Sequence, residues 1–225
     1  MTSAPAGSGF AASLADSHAG LFAALAAHPF VRSLADGTLP EAALVAWAQQ
    51  DRLFCLEEQR ALMVLRSYEP APELDSALAR LVDDTEREPR QLAETLSSLG
   101  SEVINDPWPV CLGYTSFLLA AVHAGLLEGL VALYACERSY LDTWAAVLPS
   151  VPPGARWRHW VDNWTGDEFR AVVGTLGRCL DDLAGTPSKQ MRARLGLVFG
   201  NAVRLDLAFW DMCWRQQGWP EGGQL

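Results

Sequence analysis

The sequence predicts an all-α fold, a single-domain helical bundle of seven to eight helices. Two observations carry this expectation. Apolar residues recur at three- and four-residue steps along nearly the whole chain, and strand-like alternation is scarce. Proline and glycine fall at positions that cut this pattern into helix-length pieces.

Taken in order, a first helix is expected from about Phe10 to Ala27. The segment HPFVRSLADGTLP follows, in which His28 precedes Pro29 and is placed to cap a helix end. Asp36-Gly37 is read there as a turn, and Pro40 suits the first turn of the next helix. That helix runs from about Glu41 to Tyr68 and is broken by Pro70 and Pro72. The next spans about Glu73 to Leu99 and is stopped by Gly100. Pro107 and Pro109 open another, about Val110 to Ala124, and Gly125 joins it to one from about Leu126 to Leu148. Pro149, Pro152, Pro153 and Gly154 make the clearest break, yet one too short for a flexible linker, so residues 1–225 are read as a single domain. A short helix near Arg156–Trp164, one near Asp167–Leu183 and a long one near Ser188–Gln217 complete the bundle. Residues 1–8 and 219–225 are expected to fray. No fixed-period repeat is present, which excludes a solenoid.

Composition narrows the function classes. Half of the 225 residues are apolar, enough for a sizeable core and too many for a disordered chain. Net charge is −10, from 17 Lys plus Arg against 27 Asp plus Glu, and no basic stripe is visible. Nucleic acid and anionic membrane are therefore not expected as partners. Apolar stretches such as Phe117–Gly125 are too short to span a bilayer. The N-terminus lacks the basic and apolar regions of a signal peptide. The five cysteines are scattered, odd in number and without a CxxC pair, which predicts reduced thiols, no zinc site and a cytoplasmic location.

Three residues stand out as candidates for chemistry. Cys136 lies inside a helix with Tyr140 one turn on, and a nucleophilic cysteine needs such polar company. The alternative is an ordinary core cysteine. Asp51 shares a helix face with Trp47, Phe54 and Cys55, where an acid is costly to bury unless it binds a ligand or pairs with an arginine. Asp206 lies amid Val203, Phe209, Trp210 and Cys213, where desolvation should raise its pKa and suit it to general-acid work, or leave it an interior polar contact. The four histidines form neither HxxxH nor ExxH, and TEREPRQ holds Arg90 and Gln91 where a dimetal site would want histidine. His18 is the one histidine with a conceivable haem-ligand role. No metal and no cofactor is expected.

Several segments in order then show a resemblance. HPFVRSLADGTLPEAALVAWAQQD, GYTSFLLA, ALYACERSY, WVDNWTGDEF and LDLAFWDMCW together span about Ala27 to Trp214. As a set they resemble the TenA family, also called thiaminase II or aminopyrimidine aminohydrolase. The resemblance implies a haem-oxygenase-like helical fold and a homo-oligomer, tetramer or dimer. It implies hydrolysis at the methylene on C5 of a 4-amino-2-methylpyrimidine, with thiamin or its aminomethyl-pyrimidine breakdown product as substrate. By this resemblance Cys136 is the nucleophile that adds to C6, and Asp51 binds the exocyclic amine and a ring nitrogen. Asp206 stands for a glutamate that protonates N1. Tyr114 and Tyr140 line the pyrimidine site, where Phe54 and Trp164 replace expected tyrosines, and Trp47 is grouped with these substrate-binding residues.

The family's proline before the cysteine is Ala135 here, and its aromatic-rich run after it is Glu137-Arg138. Together with the three polar groups lost or shortened at Asp206, Phe54 and Trp164, these departures predict a pocket enlarged on its apolar side and a substrate that differs from the standard aminopyrimidine. Three other functions compete: a pyrimidine-binding protein that has lost turnover, a haem or di-iron relative on the same fold, and a transcriptional regulator. Acidic charge and the lack of a DNA-reading helix motif oppose the last.

Overall fold

Residues 9–154 and 157–220 are described by the computed structural model. Among them the chain forms ten α-helices and one 3₁₀ turn, with no strand. The helices are α1 Phe10–Ser17, α2 Ala19–Ala26, α3 Pro29–Asp36, α4 Glu41–Ser67 and α5 Pro72–Ser98. They continue with α6 Pro109–Ala124, α7 Leu126–Val147, α8 Arg158–Thr165, α9 Asp167–Ala184 and α10 Lys189–Arg215. The 3₁₀ turn Leu148–Ser150 extends α7. Residues 1–8 and 221–225, and the expected helix start at Arg156, lie outside the described residues.

Ten helices replace the expected seven to eight for two local reasons. The first helix divides at His18, whose backbone leaves the helical region (φ −118°, ψ 17°). Its backbone N–H turns to the Ala15 carbonyl, and its ring Nδ1 pairs with the Leu14 carbonyl at 2.8 Å. The segment after it is a helix rather than a connection. Pro29 takes the first-turn position, where its missing N–H costs nothing. His28 Nδ1 accepts from the Phe30 N–H at 3.2 Å, which leaves Nε2–H to face Asp211 at 3.3 Å. Gly37, at φ +79°, closes the helix in the left-handed conformation glycine tolerates.

The core runs through the whole bundle. α4 packs along α5 and α6, while α7 lies at the centre against α2, α6, α8, α9 and α10. Trp47, Trp144, Trp160, Trp210, Phe30 and Phe199 are among the largest fully buried side chains. Phe30 and Phe199 each stabilise the fold by roughly 1.5–3 kcal/mol through this burial. Gly129 lets α7 approach its neighbours: a Cβ there would lie 2.7 Å from Leu65 Cδ2 and 2.8 Å from Val122 Cα. Pro89 stands inside α5 and cannot donate the usual bond to the Thr85 carbonyl. Trp219, beyond α10, donates its ring N–H to the Pro107 carbonyl at 3.0 Å. Among the described residues no helix is long and apolar enough to cross a membrane.

Candidate active site

Helical periodicity places four α4 side chains on one face: Asp51, Phe54, Cys55 and Glu58. On α7, Cys136, Glu137 and Tyr140 face them; α5 adds Thr85 and Glu88, and α8 adds Asn163 and Trp164. These side chains wall a cavity of about 390 Å³. At its mouth Arg80 pairs with Glu168, and Arg87 pairs with Asp84 at 2.7 Å. A second, inner void of about 10 Å³ is bounded by Asp51, Phe54, Tyr114, Tyr140, Asp206 and Phe209. It holds one water at most. Phe54 borders both spaces and packs on Tyr114 with ring centroids 4.8 Å apart.

The expected site residues therefore divide. Asp51, Phe54 and Tyr140 border both spaces, Cys136 and Trp164 the main cavity, and Tyr114 and Asp206 the inner void. Trp47 lines neither. It stands edge-on behind Trp160 and Trp164, at 5.5 and 5.9 Å, and its indole N–H lies near the Tyr140 hydroxyl. Trp164 in turn stacks on Trp144 and Trp160 at interplanar angles of 20° and 22°. This wall holds the Tyr140 ring, which meets Trp164 edge-on at 5.2 Å.

Burial controls the electrostatics. Asp51 is 4% exposed, and desolvation, then the charge of Glu88, pushes its carboxyl well above the usual range. The Tyr140 hydroxyl donates to Asp51 Oδ1 at 3.2 Å and pulls the other way. Asp206 is 2% exposed, and burial raises its pKa to about 8. The Ser139 hydroxyl lies against both Asp206 and the Ala135 carbonyl. With its single hydrogen given to the Ala135 carbonyl, the second contact is a bond that a proton on Asp206 donates to Ser139 Oγ. Tyr114 OH lies against both Cys136 and Asp206 without closing a well-formed hydrogen bond to either.

Cys136 is a thiol at neutral pH in the resting protein. Burial first, then Asp206, Glu58 and Glu137, hold its pKa well up, against the Tyr114 hydroxyl. Cys55 is held protonated likewise, by burial and by Asp51, Glu88 and Glu58; its thiol faces Glu88 Oε2 at 3.7 Å. All five cysteines are free and buried.

The main cavity departs from the expected apolar enlargement: its wall is acidic. Glu58 and Glu137 lie against each other in this wall, and burial raises both carboxyls above their usual range. Glu58 Oε1 is buried with no hydrogen-bond partner. Glu88 is raised to about 7 by burial, then by Glu58 and Asp84, and accepts from Asn163 Nδ2 at 2.9 Å. Sequence reasoning missed Glu58, Glu88, Asn163 and Ser139, and read Glu137 only as a departure. The signal for Glu58 was its spacing, seven residues after Asp51 on the same face. Glu137 turns to the cavity, while Arg138 turns outward to Asp142 at 2.6 Å and Tyr134 at 3.3 Å. Among the described residues no cluster of His, Cys, Asp and Glu is arranged to hold a metal ion.

Chemically, the site pairs a thiol with a neutral acid across a tyrosine hydroxyl, beside a carboxyl suited to an amine. Similar proteins share the architecture. The sequence profile of the TENA/THI-4/PQQC family matches residues 16–216. An aminopyrimidine aminohydrolase of Halalkalibacterium halodurans is 26% identical over 95% of this chain and 99% of its own. One from Helicobacter pylori is 29% identical over 84% of this chain and 90% of its own. A TenA homologue from Pyrococcus furiosus superposes with a TM-score of 0.83, at 22% identity, covering 91% of this chain and 99% of that one. The expected haem-oxygenase-like helical fold is the fold observed.

Proposed function

The chain belongs to the TENA/THI-4/PQQC family, and from that premise we propose that it is an aminopyrimidine aminohydrolase of thiamin metabolism. It cleaves the C–N bond at the C5 methylene of thiamin or of the aminomethyl-pyrimidine left by thiamin breakdown. One observation carries the reading: the Tyr114 hydroxyl lies between the Cys136 thiol and an Asp206 that keeps its proton to about pH 8.

Asp51 receives the ring. A protonated carboxyl offers one donor and one acceptor, which match a ring nitrogen and the adjacent exocyclic amine. Tyr140 holds that carboxyl in place. The Cys136 sulfur then bonds to C6 while Asp206 gives its proton to N1. The thiol proton passes to the Tyr114 oxygen, whose own proton restores Asp206. The C–N bond of the substituent breaks with its electron pair on nitrogen, and water adds to the exocyclic methylene. Expulsion of the sulfur restores the aromatic ring. The inner void is too small for a ring, so substrate entry displaces Phe54 from Tyr114.

Product mass spectrometry in heavy-oxygen water tests this reading. Either substrate should yield the hydroxymethyl-pyrimidine carrying one solvent oxygen. No turnover of either by the wild-type protein overturns it. The small size of the inner void, which keeps a ring from Asp206 unless Phe54 moves, favours one second reading, a pyrimidine binder without turnover. A ligand-induced rise in melting temperature without product would support that alternative.

The same proposal includes a cytoplasmic homo-oligomer, tetramer or dimer. The five unpaired thiols support a reducing compartment. Leu56 and Met63, seven residues apart on α4, leave apolar surface exposed that a second copy would cover.

A further inference from the structure

We propose that Ser139 is the positioning residue of the Asp206 acid: its hydroxyl accepts the acid's hydrogen bond at rest and donates one to the carboxylate once the proton has passed to the ring. This rests on the aminohydrolase reading for the proton transfer, and it adds a residue that itself touches no substrate.

The two side chains meet where α7 packs on α10. Ser139 is 1% exposed and borders neither the main cavity nor the inner void, so its hydroxyl works on its protein neighbours alone. A serine within a helix commonly bonds the carbonyl four residues back, which accounts for the Ala135 contact. The contact with Asp206 Oδ2 joins residues 67 apart and has no such local origin. Because the serine supplies one hydrogen, both contacts are hydrogen bonds only while Asp206 holds its proton. The chain then runs from the Asp206 O–H to Ser139 Oγ, and from the Ser139 hydroxyl to the backbone beside Cys136. One turn of α7 thus carries both the thiol and the partner of the acid.

The same hydroxyl serves the acid after it has reacted. The Asp206 O–H turns from Ser139 to N1 of the ring and gives up its proton there, which leaves a carboxylate. Ser139 keeps its hydrogen and turns it from the Ala135 carbonyl to Asp206 Oδ2, so no covalent bond of the serine changes. The Ala135 carbonyl still accepts the Ser139 backbone N–H of the helix. A buried carboxylate without a donor is costly, and a charge-assisted hydrogen bond offsets part of that cost. Tyr114 lies against the same carboxyl but hands over its proton to restore the acid, whereas Ser139 remains a donor throughout. The bond to the carboxylate forms only as the proton leaves, so it acts on kcat more than on KM.

A double-mutant cycle on the aminomethyl-pyrimidine, with Ser139→Ala, Asp206→Asn and both together, tests the link. Ser139→Ala should lower kcat about tenfold, the size of one hydrogen bond to a charged group, with KM changed less than about threefold. In the Asp206→Asn background the same substitution should change kcat less than about threefold. A second readout needs no turnover: the infrared carbonyl stretch of the protonated Asp206 carboxyl, taken well below its titration at about pH 8 and isolated by subtracting the spectrum of the matching Asp206→Asn protein. In Ser139→Ala that band should move to higher frequency, as for a carboxyl that has lost a hydrogen bond. Ser139→Cys, whose thiol donates and accepts weakly, serves both measurements should the alanine variant fail to fold. A band that is absent or unmoved, a kcat within about threefold of the wild type, or an equal loss in both backgrounds overturns the assignment. Should the wild type hydrolyse neither substrate, the aminohydrolase reading fails, and the band alone decides whether Ser139 holds the Asp206 proton.

Discussion

The Tyr114 hydroxyl lies against both the Cys136 thiol and the Asp206 carboxyl, three groups brought together from α6, α7 and α10. Neither contact is a completed hydrogen bond in the resting protein, so the hydroxyl is available to move a proton between them. Tyr114→Phe should lower kcat by about a hundredfold, the size of a lost general acid–base group, with a much smaller change in KM. Steady-state kinetics on the aminomethyl-pyrimidine reads the split. A change confined to KM would assign Tyr114 to packing alone.

The rate should depend on the protonated form of Asp206. Its pKa is raised to about 8, so the acid is present below that pH and lost above it. The kcat profile should therefore fall on the alkaline side through about pH 8. Asp206→Asn should abolish this limb and lower the plateau by a hundredfold or more, about the loss expected of a catalytic acid. An alkaline limb that persists in Asp206→Asn would assign the titration to another group.

The same carboxyls set the pH dependence of stability. Asp206 and Glu88 titrate at about 8 and about 7 when folded, whereas unfolded carboxyls titrate near 4. The folded state binds more protons across that interval, so these groups contribute stability below it that is lost as pH rises through it. Melting temperature should decline from about pH 5 to about pH 8 on this account. Asp206 alone accounts for up to roughly 5 kcal/mol across its window. Asp206→Asn should flatten the slope, and a melting temperature that rises over this range in the wild type would contradict the assignment.

Close packing of α7 predicts a mutational cost far from the chemistry. Gly129→Ala puts a Cβ 2.8 Å from Val122 Cα, a backbone atom that cannot rotate away. Destabilisation of about 1–3 kcal/mol is expected from such overpacking. Chemical denaturation measures it; a neutral substitution would mean that α7 and α6 separate easily.

The long helices were legible in the sequence because their apolar periodicity and their proline and glycine stops agree. α4, α6, α7 and α10 begin and end close to where those signals fall. The division at His18 was not legible, since it depends on a ring nitrogen taking the Leu14 carbonyl. Asp51, Cys136 and Asp206 were found as polar groups on apolar helix faces. Glu58 carries the same signal one step further along Asp51's face, yet an acid in the run LEEQR reads as solvated surface. Only the packing of α5 and α7 over that face makes it buried. The depth of Asp206 behind Phe54, and the retreat of Trp47 behind Trp164, likewise depend on how helices distant in sequence meet.

Two cysteines line the cavity, and Cys136 is the one placed for the chemistry. Cys136 has Tyr114 and the Asp206 proton beside it, whereas Cys55 lies among the Asp51, Glu88 and Glu58 carboxyls. The direct test is kcat/KM for hydrolysis of the aminomethyl-pyrimidine by the wild type, Cys136→Ser and Cys55→Ser. Cys136→Ser should lose about a thousandfold or more, and Cys55→Ser less than about tenfold. Full activity in Cys136→Ser, or a loss confined to Cys55→Ser, would contradict the account.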